Sequence, residues 1–231
     1  HLTTFLNVLV FILGFLATGF VLFPFHYGIK SGNPLSHKAP RNRKLTHSVV
    51  LHEESMQIDN SLYVDSFQLL IMSDLHCSSR RQLNIIQEAL AKLKSHPFDL
   101  VLILGDLTEN KKYLHAVFEL LREVNAPYGK FLVMGNHDYE GGRFHFIEQL
   151  AREFSVTLLN NKTFYVDQLN VTLFGTENPW RKTAFSPCLS GFSIGLSHTP
   201  DNIKYFSRHN IPLAFAGHTH GGKIKIPLLG A

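Results

Sequence analysis

Short runs that are apolar at nearly every position, separated by stretches with apolar residues at helical spacing, recur through residues 67–154 and constrain this chain more than any other feature. The runs are 67–72, 100–104 and 131–134. Between them Leu83, Ile86, Leu90 and Leu93 fall on one helical face, Leu114, Val117, Phe118 and Leu121 on another, and a third helix is expected near 144–154. Strands buried on one face alternate apolar and polar; an unbroken apolar run suits a strand covered on both faces. Strand, helix, strand, helix, strand implies parallel pairing through right-handed crossovers, hence an α/β fold. After residue 154 the pattern changes. Segments 163–166 and 171–174 flank Asp167-Gln168-Leu169-Asn170 as a hairpin, so the sheet becomes mixed or a second sheet begins. Runs 192–196 and 213–216 follow, with Thr199-Pro200 reading as the cap and first turn of a short helix to about Arg208. Segment 48–59 is expected to be the strand that opens the domain, and 223–227 one more strand.

Where the runs stop, metal-type ligands begin. Asp74 and His76 follow the first, Asp106 the second, Asn136 and His137 the third, His198 the fourth, and His218 and His220 the fifth. Parallel strands bring their carboxyl ends to one edge, the edge at which α/β proteins bind ligands. Asp-x-His and His-x-His keep both members on one side of an extended chain. Each cluster alone reads as turn chemistry, because Gly, Asn and Asp are ordinary turn formers. Together Asp74, His76, Asp106, Asn136, His198, His218 and His220 exceed the four ligands of a tetrahedral zinc site. They suit two divalent metals sharing one carboxylate, an arrangement that serves phosphoryl transfer. Imidazole, carboxylate and amide donors favour manganese, iron or zinc over magnesium, and manganese is the expectation. His137 is suited to donate a proton or stabilise charge, with Asp138 as its orienting partner.

The set Ser73-Asp74-Leu75-His76, Gly105-Asp106, Gly135-Asn136-His137-Asp138, Ser197-His198 and Gly217-His218-Thr219-His220 resembles, in order and approximate spacing, the calcineurin-like metallophosphoesterases. The resemblance runs from about Phe67 to Pro227. It implies a sandwich of two mixed β-sheets flanked by helices. It also implies that Asp74, His76 and His220 hold a first metal, that Asn136, His198 and His218 hold a second, and that Asp106 bridges them. His137 then matches the family's non-ligand histidine. The family commonly continues with further strands, so the domain at 48–231 is expected to be truncated at its C-terminus.

From Phe5 to Phe25 no residue is charged and Phe, Leu, Val and Ile dominate, about the 20 positions that span a hydrocarbon core. Residues 1–27 are therefore expected to be a transmembrane helix, in preference to a cleaved signal peptide or a buried core helix. Residues 28–47 carry Lys30, Lys38, Arg41, Arg43 and Lys44 among Pro and Gly, a basic linker. Basic residues just beyond a span favour the cytoplasmic side, which places the catalytic domain on the inner face of the inner membrane. With much of the formal charge of +4 in that linker, nucleic acid is not an expected partner. Two cysteines, Cys77 and Cys188, do not make a disulfide framework.

An anchored chain of this family resembles its membrane-tethered bacterial branch, whose substrate class includes a lipid-linked pyrophosphate. That resemblance implies hydrolysis of UDP-2,3-diacylglucosamine to UMP and lipid X in lipid A synthesis. The alternative is a phosphodiesterase or phosphatase acting on another substrate, and a third reading is a non-catalytic scaffold. Arg80 and Arg81 stand close enough to the first motif to bind a phosphate, or they simply start a solvated helix. Glu177, Asn178 and Trp180 line the substrate cleft, or Trp180 caps the core.

Overall fold

The computed structural model describes residues 5–14, 30–31, 50–59, 66–177, 179–181 and 187–219, the first three segments by backbone pairing only. In chain order the elements are β1 (Phe5–Gly14), β2 (Lys30–Ser31), β3 (Val50–Asp59), β4 (Ser66–Met72), α1 (Arg80–Leu93), β5 (Leu100–Ile103), α2 (Leu114–Arg122) and β6 (Lys130–Leu132). Then come α3 (Asn136–Tyr139), α4 (Arg143–Glu153), β7 (Val156–Leu158), β8 (Lys162–Val166), β9 (Val171–Thr176), β10 (Phe192–Ser197), α5 (Ile203–Arg208) and β11 (Leu213–Ala216).

Two sheets form. The first runs β2-β3-β1-β4-β5-β6-β7 and the second β11-β10-β9-β8. Strands β4 to β7 are parallel, as are β9 to β11, while β8 returns antiparallel to β9 through the expected hairpin. Period-two geometry explains why these runs are apolar on both faces. On β4, Phe67, Leu69 and Ile71 face the second sheet, meeting Leu173, Ile194, Leu196 and Phe215. Leu70 and Met72, one position out of phase, face Ile86 and Leu90 of α1 and Phe118 of α2. Fully burying such a Leu or Phe stabilises by about 1.5–3 kcal/mol, so both alternating sets hold the register. On the outer face of the second sheet Phe174 packs against Phe206 of α5.

Helix caps follow from local chemistry. The Ser79 hydroxyl accepts from the Gln82 amide at 3.3 Å, while Gln82 Oε1 accepts from the Ser78 amide at 2.8 Å, two otherwise orphaned donors at the start of α1. Thr199 Oγ1 accepts from the Asp201 amide, and Pro200 opens the turn that leads into α5.

One segment departs from expectation. Residues 5–14, expected as part of a membrane-spanning helix, are strand β1, antiparallel to β3 with Phe5 opposite Asp59 and parallel to β4 with Leu13 opposite Met72. An uncharged run of Phe, Leu, Val and Ile fits a central strand as well as a helix, and periodicity cannot separate the two. Among the described residues no helix is long and apolar enough to cross a membrane. The rest of the expected anchor, most of the basic linker and the strand expected at 223–227 lie outside the described residues. The short strand β7, not expected from the sequence, extends the first sheet beside β6.

Candidate active site

The strand ends supply the site through tight turns. Asp74, His76, Asp106 and His218 all have positive φ, at 52°, 41°, 54° and 70°. That region is sparsely populated outside glycine, and its residues gather where surrounding structure holds them for a task. Here backbone hydrogen bonds between neighbouring turns do the holding: the Asp74 amide donates to the Gly105 carbonyl at 3.0 Å, His76 to Asp106 at 2.9 Å, and Gly217 to His198 at 3.0 Å. The turns approach so closely that two glycines are required. A Cβ on Gly135 would lie 2.2 Å from Asp106 Oδ1, and one on Gly217 would lie 1.8 Å from Ser73 Oγ and 2.6 Å from Asp74 Oδ2. Gly217→Ala is accordingly expected to displace Asp74, to destabilise by about 1–3 kcal/mol as overpacking does, and to weaken metal binding. Chemical denaturation of the metal-free protein beside a metal titration separates the two effects.

Three groups of side chains place donor atoms within 4.8 Å of one another: Asp74, His76 and Asp106; Asp106, His198 and His218; and His76, Glu109 and His137. Asp106 belongs to the first two. Its Oδ2 lies 3.2 Å from His198 Nε2 and 3.6 Å from His76 Nε2. The His198 Nδ1 donates to the Leu104 carbonyl at 2.6 Å; since that oxygen can only accept, Nδ1 carries a proton and Nε2 is the nitrogen turned toward Asp106. Asp74, fully buried, accepts from the His218 amide at 3.0 and 3.2 Å and from the Ser73 hydroxyl. The side-chain oxygen of Asn136 is buried and has no hydrogen-bond partner. A buried carbonyl oxygen without a donor is costly, and a cation is the natural complement. These residues fit a pair of divalent metals.

His137 is differently set. Its backbone amide donates to Asp106 Oδ1 at 3.0 Å, while its ring stands 5.1 Å from that of His76, edge to face. Its Nδ1 lies 3.2 Å from Glu109 Oε2 and 3.5 Å from Glu140 Oε2. The other Glu109 oxygen meets His76 Nδ1. Glu109 thus spans the two imidazoles, a role absent from the sequence reading; its only signal was a carboxylate three residues after Asp106 in the same turn. Asp138, expected to orient His137, does something else. Fully buried, it accepts from the amides of Asp106 at 2.7 Å, Leu107 at 3.1 Å and Gly135 at 2.9 Å, tying the second and third strand-end turns together. On the helical turn α3 consecutive side chains diverge, so adjacency in sequence is not contact.

At the rim, the Trp180 ring lies 5.5 Å from that of His198 and 5.8 Å from that of His218, so it borders the ligand cluster. Glu177 is buried, bonded to the Tyr139 hydroxyl and to Asn161 Nδ2. Arg80 and Arg81 are exposed at the first turn of α1. His220 and Asn178 lie outside the described residues.

Electrostatics reflect the crowding. Burial works against a charged His76, but Asp74, Asp106 and Glu109 outweigh it and hold its pKa up to about 9. Burial likewise opposes charge on His198, yet Asp106 and Asp74 raise it. Burial pushes the Asp106 carboxyl up, and His198 and His76 bring it below its ordinary value. Asp138 rises to about 6 through burial and the Asp106 charge, against the three amides that favour its anion. Metal binding needs neutral imidazole, so below pH 9 a metal must displace the His76 proton. Manganese affinity is expected to fall as pH is lowered from 9 to 6, by up to about tenfold per unit for each proton displaced. Titrations at constant ionic strength check this, and a pH-independent affinity would contradict it.

The sequence of residues 67–222 matches the family model for calcineurin-like phosphoesterases. The chain is 31% identical over 180 residues to the uncharacterized metallophosphoesterase YkuE of Bacillus subtilis, covering 72% of this chain and 62% of that protein. It is 29% identical over 175 residues to the phosphodiesterase YaeI of Escherichia coli, covering 71% and 64% respectively. It is 24% identical over 221 residues to the UDP-2,3-diacylglucosamine pyrophosphatase LpxG of Chlamydia muridarum, covering 71% and 67%. The chain thus spans less than two thirds of the length of the first two relatives. No solved structure matches. With the family model spanning more than half the chain and falling on every strand-end cluster described above, the chain belongs to the calcineurin-like phosphoesterase family.

Proposed function

We propose that this chain is a dinuclear-metal phosphoesterase acting on a phosphodiester. The observation that carries the reading is the pair of donor groups that share Asp106. Asp74 and His76, joined by His220, would hold one metal; Asn136, His198 and His218 would hold the other, with Asp106 between. Manganese, iron and zinc suit these donors. Bound there, two cations supply Lewis acidity toward a phosphoryl oxygen and lower the pKa of water to the neutral range.

The chain's own residues account for the rest. Leu104 fixes the His198 tautomer, Ser73 and the His218 amide hold Asp74, and Asp138 locks the turns that carry Asp106 and Gly135. His137 stands beside the cluster without belonging to either Asp106 group, and the Glu109 carboxylate lies 3.2 Å from its Nδ1, leaving Nε2 to protonate the departing oxygen. Trp180 closes the edge next to His198 and His218, which restricts water and offers a flat apolar surface to the leaving group.

Likeness to a bacterial protein named as a phosphodiesterase supports the diester. The more distant likeness to a UDP-2,3-diacylglucosamine pyrophosphatase supports a second reading, with a lipid-linked nucleotide substrate. Metal-stripped protein given manganese and offered both substrates tests the two. Cleavage of bis-p-nitrophenyl phosphate without turnover of the lipid supports the first; release of UMP supports the second; no metal-dependent hydrolysis of either contradicts both.

A further inference from the structure

Arg143 is a charged residue on the apolar stripe of a helix, sharing the buried face of α4 with Ile147, Leu150 and Ala151. Only 8% of it is exposed. A buried guanidinium persists where its donors are satisfied, and these are, though chiefly by backbone. Nε and Nη2 both donate to the carbonyl of His137, at 2.9 and 2.5 Å. Nη1 donates to the carbonyl of Glu109 at 3.1 Å, and Nη2 also lies 3.4 Å from Glu140 Oε2. Local sequence makes the reach possible: Gly141 and Gly142, at φ 56° and 70°, reverse the chain between α3 and α4 so that the first residue of α4 points back at the end of α3.

The two carbonyls belong to the two residues whose side chains meet. Glu109 sits on the turn after β5, His137 on the turn after β6, and their facing groups stand 3.2 Å apart. We infer that Arg143 is the positioning residue for this pair: its fork bridges the Glu109 and His137 backbones and so sets His137 at the angle from which it protonates the leaving group. The assignment rests on the phosphoesterase reading above. Lysine preserves the charge but offers one compact donor group in place of a planar fork, so it cannot hold both carbonyls in the same geometry.

The test uses the full chain loaded with manganese, and two aryl and alkyl phosphodiester substrates that differ in leaving-group basicity. A nitrophenolate departs without a proton, whereas an alkoxide needs one. Arg143→Lys and Arg143→Ala are expected to lower kcat on the alkyl diester by about 10- to 100-fold, a share of what a positioned acid contributes, with a much smaller loss on the nitrophenyl diester and little change in KM. Added guanidinium should restore part of the alkyl-diester rate to Arg143→Ala. Metal stoichiometry should remain as in the parent protein. In the metal-free protein the imidazole nitrogen resonances of His137 should shift in Arg143→Lys while those of His198 stay. Equal losses on both substrates, or failure of both variants to fold or bind metal, would make Arg143 a structural residue and overturn the inference. His137→Ala, run in parallel, separates the two levels: a leaving-group dependence in that variant but not in the Arg143 variants overturns this inference alone, and its absence from all three overturns the role of His137 as well.

Discussion

Asp106→Asn is expected to cost kcat/KM on the order of 10³ or more, because several kcal/mol of transition-state stabilisation by metal charge is lost when the shared carboxylate becomes neutral. Asparagine is nearly isosteric, and its oxygen can still accept the His137 amide that Asp106 Oδ1 accepts at 3.0 Å. The turn should survive. The charge that both donor groups share does not, and with it goes the attraction that raises His76 and His198. Metal analysis should show loss of one or both ions, and circular dichroism should show an unchanged fold. A variant that keeps two metals and full activity would remove Asp106 from the centre of the account.

His137→Ala should leave both metals in place and still lose about 10²- to 10⁴-fold on substrates with basic leaving groups, the usual contribution of a positioned acid. The contact from His137 to Asp106 comes from the backbone amide, which alanine retains, and the ring is not in either donor group that includes Asp106. Substrates whose leaving group departs unprotonated should be affected far less. If the variant lost metal along with activity, His137 would have to be moved from acid to ligand. Glu109→Gln should reproduce part of the effect, since a neutral amide holds His137 Nδ1 less firmly than a carboxylate does.

Much of this site could be read from the chain because its metal-type donor residues stand at strand ends, and strand ends can be read from hydrophobic runs. Asp74, His76, Asp106, His198 and His218 are brought within reach of one another because β4, β5 and β6 are parallel in one sheet and β10 and β11 in the other. What the residues could not show was the turn geometry. Positive φ at Asp74, His76, Asp106 and His218 and the close approach at Gly217 arise from neighbouring turns distant in sequence, Ser73 against Gly217 among them. Asp138 was assigned by adjacency, yet α3 turns it inward to three amides and leaves Glu109, from another strand end, facing His137. Arg143 shows in the sequence only as a charge in phase with Ile147 and Leu150 on a helix face. Residues 5–14 show the reverse problem, a strong apolar signal that fits either a span or a strand; pairing with β3 and β4 satisfies its backbone in the second way.

The most direct measurement is a crystal structure of the manganese-soaked protein with anomalous scattering recorded at the manganese edge. Two peaks are expected about 3.5–4 Å apart on either side of the Asp106 carboxylate, the separation typical of paired metals in phosphoryl transfer, one beside Asp74 and His76 and the other beside Asn136, His198 and His218. A single peak away from Asp106, or no ion within bonding distance of that carboxylate, would contradict it.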